Sequence, residues 1–487
     1  MRRAKIVATL GPATSSYETV RALIDAGVDV ARLNLSHGDT AVHEANYANV
    51  RRAADDAGRA VAVLVDLQGP KIRLGKFADG PHELAVGDIF KITTEDILGT
   101  REICGTTFKG LPQDVKPGDY LLIDDGKVRV EVVETDGTVV TTRVTVAGAV
   151  SNNKGINLPG VAVNVPALSE KDEDDLRWGL RTGADLIALS FVRDASDVTR
   201  VHEIMAEEGV RIPVIAKIEK PQAIMNLDSI IEASDAIMVA RGDLGVEMDV
   251  AKVPVIQKYI LARCSGLGKP CIVATQMLET MIESMIPTRA EASDVANAVL
   301  DGCDAVMLSG ETAVGAHPDV VVETMQKIIR VTESRMDEIL IKQDIPTQLK
   351  EYPFRSVALA KGVWYMAEEL HARAIAVWSE AGGMARYLSQ HNFRVPIYAY
   401  TSSLIAARRM ALYVGVTPIY TAPPESGRLS DWTDMVEDLI RSDKITEDGD
   451  TVLLVAGKPL GALLAQSTVS ILRMGDPASG FRQATTV

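Results

Sequence analysis

Eight short apolar segments, most of them separated by amphipathic stretches of helix length, constrain the fold of this 487-residue chain most strongly. They cover residues 7–9, 28–33, 61–67, 186–192, 213–218, 236–240, 271–274 and 305–308. Residues 16–26, between the first two segments, have apolar positions at helical spacing. Near-continuous apolar strands predict a parallel sheet that is covered by helices. Eight such units in succession predict a (β/α)8 TIM barrel, an α/β fold.

The third unit is interrupted by a region of a different pattern. Between residues 71 and 166, short alternating segments are separated by turn signals such as Asp79-Gly80 and Asp136-Gly137. This pattern predicts a small all-β domain, a β-barrel, inserted into a barrel loop, where it would act as a lid. Helical patterning resumes at Ser169, a predicted helix start.

A third region follows the last barrel unit. Residues 346–353 resemble a linker, and residues 356–370 predict a helix. Strands are predicted at residues 374–379, 396–401, 417–421, 452–456 and 469–474. We therefore expect a barrel domain of residues 1–70 and 167–344, an inserted domain of residues 71–166, and a C-terminal α/β domain of residues 345–487.

Charge and cysteine content exclude several classes of function. The net charge of −15 argues against non-specific binding to nucleic acid or to anionic membranes. No segment approaches transmembrane length. The four cysteines lack zinc-site spacing and are interpreted as free thiols in a reducing compartment. We expect a cytoplasmic protein with no nucleic-acid or membrane partner.

Charged residues end two of the predicted strands. Side chains alternate along a strand, so Lys217 and Glu219 are predicted to point to the same side. Asp243 follows the next apolar segment and supplies a second carboxylate. Two carboxylates and a lysine suit Mg²⁺ and phosphate chemistry, and a surface ion pair is the alternative. The other strands also end in polar residues, among them Arg32, Asp66, Ser190, Thr275 and Glu311.

Common nucleotide-binding and catalytic motifs are missing from the sequence. It contains no GxxxxGK[ST] motif, no GxGxxG after a strand, and no protein-kinase signature set. Ser36 and His37 are adjacent but have no evident orienting acid, so a Ser-His-Asp hydrolase is weakly supported.

The chain resembles the pyruvate kinase family along essentially its full length. Matching segments are KIVATLGP (5–12), ARLNLSHG (31–38), DLQGPKIR (66–73), NLPG (157–160), IAKIE (215–219), ARGDLG (240–245), ATQML (274–278) and MLSGET (307–312). The family has the same three domains. The resemblance implies transfer of phosphate from phosphoenolpyruvate to ADP, giving pyruvate and ATP in the last step of glycolysis.

The resemblance also implies roles in catalysis and substrate binding. Glu219 and Asp243 would hold the essential Mg²⁺ or Mn²⁺, and Lys217 would lie at the transferring phosphoryl group and the enolate oxygen. Thr275 would order a water near the enolate carbon, because an alcohol is a poor acid. The substrate carboxylate would bind to backbone N–H groups of Ala240, Arg241, Gly242 and Asp243.

The nucleotide and the phosphates have their own set of expected residues. Arg32 and Arg73 would bind phosphate oxygens through their planar guanidinium groups. Lys154 matches a nucleotide-phosphate lysine in a loop of the lid, and an ordinary exposed lysine is the alternative. The expected nucleotide-binding residues are Arg32, Asn34, His37, Arg73 and Lys154.

One group of residues departs from the family pattern. Many members need K⁺, whose ligands match Asn34, Ser36, Asp66 and a threonine that is Leu67 here. K⁺-dependent members also have a glutamate at the position of Lys71 and a threonine at that of Leu74. We predict that the enzyme does not require K⁺ and that the Lys71 ammonium replaces it. The alternative is a solvent-facing hinge lysine.

Regulation and two competing interpretations stay open. In the C-terminal domain, residues 379–385 match a loop that binds sugar phosphates in the family, but Glu380 and Met384 weaken the case for fructose 1,6-bisphosphate. Another phosphorylated effector, such as a nucleotide monophosphate or a sugar monophosphate, is an alternative. The family is usually homotetrameric.

The competing functions are a Mg²⁺-dependent enolpyruvate lyase or aldolase, and a non-catalytic regulatory paralogue. The lid and Lys217 argue against the lyase, and the intact site residues argue against the paralogue.

Overall fold

The computed structural model describes residues 2–124, 126–161, 166–336, 355–391, 393–458, 460–461 and 466–482. Its strands, in chain order, are β1 Lys5–Leu10, β2 Val30–Asn34, β3 Ala62–Asp66, β4 His82–Leu84, β5 Ile89–Thr93, β6 Ile103–Gly105, β7 Tyr120–Ile123, β8 Val128–Thr135, β9 Val139–Val146, β10 Gly148–Val150, β11 Ile156–Asn157, β12 Leu186–Leu189, β13 Val214–Ile218, β14 Ala236–Ala240, β15 Cys271–Ala274, β16 Ala305–Leu308, β17 Ala374–Trp378, β18 Ile397–Thr401, β19 Val416–Tyr420, β20 Thr451–Lys458 and β21 Gln466–Arg473.

The α-helices connect and cover these strands. They are α1 Tyr17–Ala26, α2 Thr40–Asp56, α3 Leu111–Asp114, α4 Glu170–Thr182, α5 Ala195–Glu207, α6 Pro221–Met225, α7 Leu227–Ala233, α8 Arg241–Glu247, α9 Val253–Leu267, α10 Arg289–Leu300, α11 Gly310–Ala313, α12 Pro318–Ser334, α13 Arg355–Glu369, α14 Gly383–Ser389, α15 Leu404–Met410 and α16 Leu429–Ser442. Single-turn 3₁₀ helices occur at Pro12–Thr14, Val250–Lys252 and Glu279–Ile282.

The predicted (β/α)8 barrel is confirmed. Strands β1, β2, β3 and β12 to β16 pair in parallel and close in the order β1-β16-β15-β14-β13-β12-β3-β2. One face of each strand packs in the barrel interior, where Val7, Leu64, Ile215, Met238 and Met307 are buried. The other face packs against the helices, so the strands carry buried apolar residues on both sides. The carboxyl ends of all eight strands therefore open onto one face, where polar residues can meet.

Capping residues define the helices where the sequence predicts them. Ser16 Oγ accepts a hydrogen bond from the Thr19 N–H and begins α1, and Gly27, with φ 118°, ends it. Ser169 begins α4 in a capping box with Asp172, which confirms the predicted helix start.

The inserted domain is a small, nearly closed β-barrel. Its main sheet has the order β11-β7-β8-β9-β5-β6, and β4 pairs with β10. Residues 73 and 74 join the two edges, because Arg73 bridges to Gly155 beside β11 and Leu74 bridges to Thr106 beside β6. Its own core includes Phe90. This domain, which is predicted to act as a lid, is called the lid below.

The C-terminal domain is an α/β layer with the sheet order β19-β18-β17-β20-β21, in which only the β20–β21 pair is antiparallel. The predicted linker, residues 346–353, and the boundary at residue 344/345 lie outside the described residues. The domain boundaries remain predictions.

The four cysteines are buried free thiols. Within the described residues, no helix is both long and apolar enough to cross a membrane.

A buried carboxylate joins the barrel to the C-terminal domain. Asp304, just before β16, accepts hydrogen bonds from the Cys271 N–H and from Gln390 Nε2, both over 2.8 Å. Burial raises the pKa of Asp304 to about 7, and these two hydrogen bonds offset only part of that effect. An unfolded aspartic acid has a pKa of about 3.9.

Asp304 should therefore make the protein less stable as pH rises. Between about pH 4 and the folded pKa the folded state binds more protons than the unfolded state, so stability falls by up to ~1.4 kcal/mol per pH unit. Asp304→Asn should remove this contribution, since Gln390 can rotate its amide to keep the hydrogen bond. The check is the thermal midpoint of both proteins across this range. The same pH dependence in both would contradict the prediction.

Candidate active site

Lys217 lies at the centre of a buried cluster at the carboxyl ends of the barrel strands. Its Nζ donates a hydrogen bond to Ser190 Oγ over 2.7 Å. The same Nζ is 3.0 Å from Glu219 Oε1 and 3.3 Å from Asp66 Oδ1. Lys217 and Glu219 thus point to the same side of β13, as predicted. Three strands, β3, β12 and β13, bring these side chains together.

Arg32 extends the cluster toward β1. Its Nε donates to Asp66 Oδ2 over 2.7 Å, and its Nη1 donates to Thr9 Oγ1 over 2.9 Å. Asp66 is therefore shared by two cations, and it is fully buried. Burial alone would raise the pKa of Asp66, but Lys217 and Arg32 outweigh it and hold that pKa below its usual value.

The charges of Lys217 and Glu219 respond to burial in different ways. Burial alone would lower the pKa of Lys217, but Asp66 and Glu219 outweigh it, so the pKa is raised and the ammonium stays charged. Burial raises the pKa of Glu219, and nearby Asp243 adds to the effect while Lys217 opposes it. The site is thus a fixed positive charge beside two carboxylates that repel each other.

Those two carboxylates fit a divalent metal. Glu219 Oε2 accepts a hydrogen bond from the Phe191 N–H over 2.8 Å, and the buried Oε1 faces the Lys217 ammonium at 3.0 Å. In the described part of the chain, no hydrogen bond or ion pair engages the Asp243 carboxylate, and no group of three or more His, Cys, Asp or Glu forms a metal centre. Mg²⁺ commonly takes one or two protein carboxylates and completes its shell with substrate oxygens and water. The donor set therefore suits Mg²⁺.

Thr275 is held in a strained conformation beside α8. Its φ is 70°, which is rare for a β-branched residue. The hydroxyl accepts from the Gly242 N–H over 2.7 Å and donates to the Ala274 carbonyl over 2.6 Å. Arg241 Nη2 donates to the Thr275 carbonyl over 2.7 Å, and its Nη1 contacts Asp294 over the same distance. The Arg241 guanidinium thus supports the Thr275 loop.

The predicted nucleotide-binding residues lie in two groups. Arg32, Asn34 and His37 belong to the barrel, and Arg73 and Lys154 lie on the lid side. Asn34 Oδ1 accepts from the Ser36 N–H over 3.2 Å. His37 is exposed, and its pKa is lowered first by its partial burial and then by Arg73, Lys71 and Arg32. These three cations therefore lie near His37, although only Arg32 belongs to the buried cluster. Arg73 Nη1 donates to the Asn153 carbonyl of the lid over 3.0 Å.

Two predicted lysines lie apart from the buried cluster. Lys154 Nζ pairs with Asp124 inside the lid at 3.0 Å. Lys71 is half-buried and lies beside Gly155. A Cβ added to Gly155 would lie 3.8 Å from Lys71 Nζ. Among the contacts of the described residues, none joins the Lys71 side chain to Asp66. Its role as a replacement for K⁺ remains a prediction.

Sequence reasoning did not assign several residues of the site. In the sequence Ser190 is one of many polar strand ends, yet its hydroxyl contacts Lys217. Thr9 and the backbone of Phe191 were not considered. Phe191 has a φ of 55°, and Gly69 allows this, because a Cβ on Gly69 would lie 2.6 Å from its ring. Gly69, the glycine of the DLQGPKIR segment, is the sequence signal that could have indicated this close approach.

Comparisons with known proteins agree with this geometry. Residues 1–322 match the family model of the pyruvate kinase barrel domain, and residues 357–472 match that of the pyruvate kinase alpha/beta domain. The chain is 46% identical to a pyruvate kinase of Corynebacterium glutamicum, over 98% of both chains. It is 45% identical to one of Mycobacterium tuberculosis, over 98% of this chain and 99% of the relative.

A solved structure is also similar. The crystal structure of a pyruvate kinase from Cryptosporidium parvum aligns with a TM-score of 0.87 and 34% identity, covering 97% of this chain and 96% of that one. Together with the barrel, the lid and the Lys217 cluster, these similarities show that the chain belongs to the pyruvate kinase family.

Proposed function

We propose that this protein is a phosphotransferase that moves the phosphoryl group of phosphoenolpyruvate to ADP, giving pyruvate and ATP in glycolysis. The observation that carries the proposal is the buried Lys217 ammonium, which Asp66 and Glu219 hold at the carboxyl ends of the barrel strands. A loose phosphoryl-transfer transition state spreads negative charge over several oxygens, and pre-positioned cations stabilise it.

Lys217 and Arg32 would supply the protein's positive charge. Lys217 cannot move far, because Ser190, Asp66 and Glu219 restrain its Nζ. Arg32 uses Nε and Nη1 within the protein, and among the described contacts Nη2 has none, so Nη2 is free to bind a phosphate oxygen. Glu219 and Asp243 would hold Mg²⁺ or Mn²⁺, which neutralises phosphate charge when bound.

Thr275 and α8 would bind the enolpyruvate part of the substrate. The substrate carboxylate would lie against the backbone from Ala240 to Asp243. At the Gly242 N–H, the substrate carboxylate would compete with the Thr275 hydroxyl, which accepts that hydrogen bond in this structure. The hydroxyl would then position a water that protonates the enolate carbon. Arg73 and Lys154 would bind the nucleotide phosphates from the lid side.

The direct test is pyruvate formation from phosphoenolpyruvate and ADP with Mg²⁺, first in K⁺-free buffer and then with K⁺ added. Activity in either buffer supports the proposal. Absence of activity in both, also with candidate effectors present, would favour the lyase or the regulatory paralogue.

Lys71 should make this activity independent of K⁺. A glutamate at this position would place a negative charge near Arg32 and the phosphates, so Lys71→Glu should reduce K⁺-free turnover by about 10²-fold or more. Added K⁺ should restore part of the loss. The measurement is kcat against K⁺ concentration, with Lys76→Glu, at an exposed lid lysine, as the control. A Lys71→Glu enzyme with full activity in K⁺-free buffer would refute the internal-cation hypothesis.

The C-terminal domain would carry the regulatory site. Its candidate loop, residues 379–385, follows β17, and Glu380 already engages the donors there. Its Oε2 accepts from Trp378 Nε1 over 3.0 Å and from the Ser402 N–H over 3.3 Å, and its Oε1 accepts from the Ser402 hydroxyl. An internal anion among these donors disfavours fructose 1,6-bisphosphate. We further propose a cytoplasmic homotetramer with a different phosphorylated effector.

A further inference from the structure

A buried network joins the lid to the barrel through residues that the proposed chemistry does not use. Asn157, in β11 of the lid, donates from Nδ2 to Glu247 Oε1 over 2.9 Å. Lys220 Nζ donates to the same oxygen over 2.5 Å. The Glu247 side chain is 2% exposed and that of Lys220 is 19% exposed. The carboxylate is thus removed from water and depends on these two donors.

The network reaches both segments that carry the metal-site carboxylates. Glu247 is the last residue of α8, whose first turn contains Asp243. Lys220 follows Glu219 directly, and its Nζ lies 5.4 Å from the centre of the Phe191 ring. Phe191 in turn donates its N–H to Glu219. A shift of the network would therefore be felt at both carboxylates.

Both chain connections between barrel and lid run past this network. They line one cleft, formed by Pro70, Lys71, Ile72, Ile156, Asn157 and Leu158 together with residues of the barrel rim. The Ile156 N–H donates to the Ile72 carbonyl over 2.8 Å and ties the outgoing connection to the returning one. Contacts at this junction therefore set the orientation of the lid.

We propose that Glu247 is a positioning residue that fixes the orientation of the lid over the active site by holding Asn157 and Lys220 together. The inference rests on the proposed function, in which the lid carries Lys154 and its connection carries Arg73. Without the Glu247 charge, the hydrogen bond to Asn157 weakens and Lys220 loses its counterion. The lid then samples more orientations, and the nucleotide is less well positioned.

The test compares Glu247→Gln, Asn157→Leu and the double variant. Each single change should raise the KM for ADP by about 10-fold, with a smaller change in kcat. The double variant should be no worse than the poorer single variant, because both changes break one interaction. Amide hydrogen exchange at residues 154–158 should accelerate in all three, while exchange in β13 and β14 stays at the wild-type rate.

Glu437→Gln is the matched control, because Glu437 is a largely buried carboxylate paired with Arg482 in the C-terminal domain. It should leave the KM for ADP unchanged. Additive effects in the double variant, or wild-type exchange at residues 154–158, would overturn the role of Glu247. A wild-type protein without phosphoryl transfer would overturn the proposed function instead, and hydrogen exchange would still decide whether the network holds the lid.

Discussion

Replacing Lys217 with methionine is expected to abolish phosphoryl transfer and to leave substrate binding measurable. Methionine has a similar length but no charge, so the transition state loses a cation that Asp66, Glu219 and Ser190 hold in place. A single positioned cation in phosphoryl transfer contributes about 10³–10⁵-fold to kcat. The measurement is kcat in a pyruvate assay, together with equilibrium binding of labelled phosphoenolpyruvate in the presence of Mg²⁺.

The same change leaves Asp66 and Glu219 buried without their shared cation, so stability also falls, by about 3–5 kcal/mol. Lys5→Met separates the two effects. Lys5 is a second buried lysine, at the opposite end of the barrel strands, where its Nζ donates to the Val416 carbonyl over 2.6 Å. Lys5→Met removes a buried ammonium outside the site and should keep its activity at temperatures where it is folded. Near-normal turnover by a folded Lys217→Met protein would remove Lys217 from the mechanism.

The barrel could be predicted because its strands are apolar on both faces. The predicted segment at residues 213–218 and the observed β13, Val214–Ile218, differ by one residue. Strand ends converge in any parallel barrel, so Lys217, Glu219 and Asp66 could be expected near one another. What the sequence could not show is which partner each would choose. Asp66, expected in the K⁺ site, turned out to be the shared counterion of Lys217 and Arg32.

Contacts of the lid were beyond sequence reasoning for a different reason. Lys154 was expected at the nucleotide phosphates, but its partner in the structure is Asp124, thirty positions away in the same domain. Asn157 belonged to a matching segment without an assigned role, and its contact with Glu247 spans ninety positions. The first contact depends on how the strands of the lid pair, and the second on how the lid and the barrel are oriented, and no local periodicity or motif encodes either.

Glu219→Gln and Asp243→Asn should each weaken Mn²⁺ binding by about 10²-fold or more, because changes even in the residues around a metal's ligands cost 10–100-fold. The amides keep the shape of the side chains but remove the charge that a hard cation needs. Glu219→Gln should also retain a hydrogen bond from Phe191, since an amide oxygen is an acceptor as well. The readout is titration with Mn²⁺ followed by electron paramagnetic resonance, which needs neither substrate nor activity.

Glu311→Gln is the control that separates loss of a ligand from loss of a buried charge. Glu311 is fully buried, and its oxygens accept from the Leu278 N–H over 3.1 Å and from the Ser309 N–H over 2.7 Å. Both oxygens are engaged by backbone, whereas Glu219 engages backbone through Oε2 and its Oε1 faces the Lys217 ammonium. Glu311→Gln should therefore lower stability without changing Mn²⁺ affinity. Equal losses of Mn²⁺ affinity in all three variants would mean that the metal responds to the net charge of the barrel end, and Glu219 and Asp243 would no longer be its ligands.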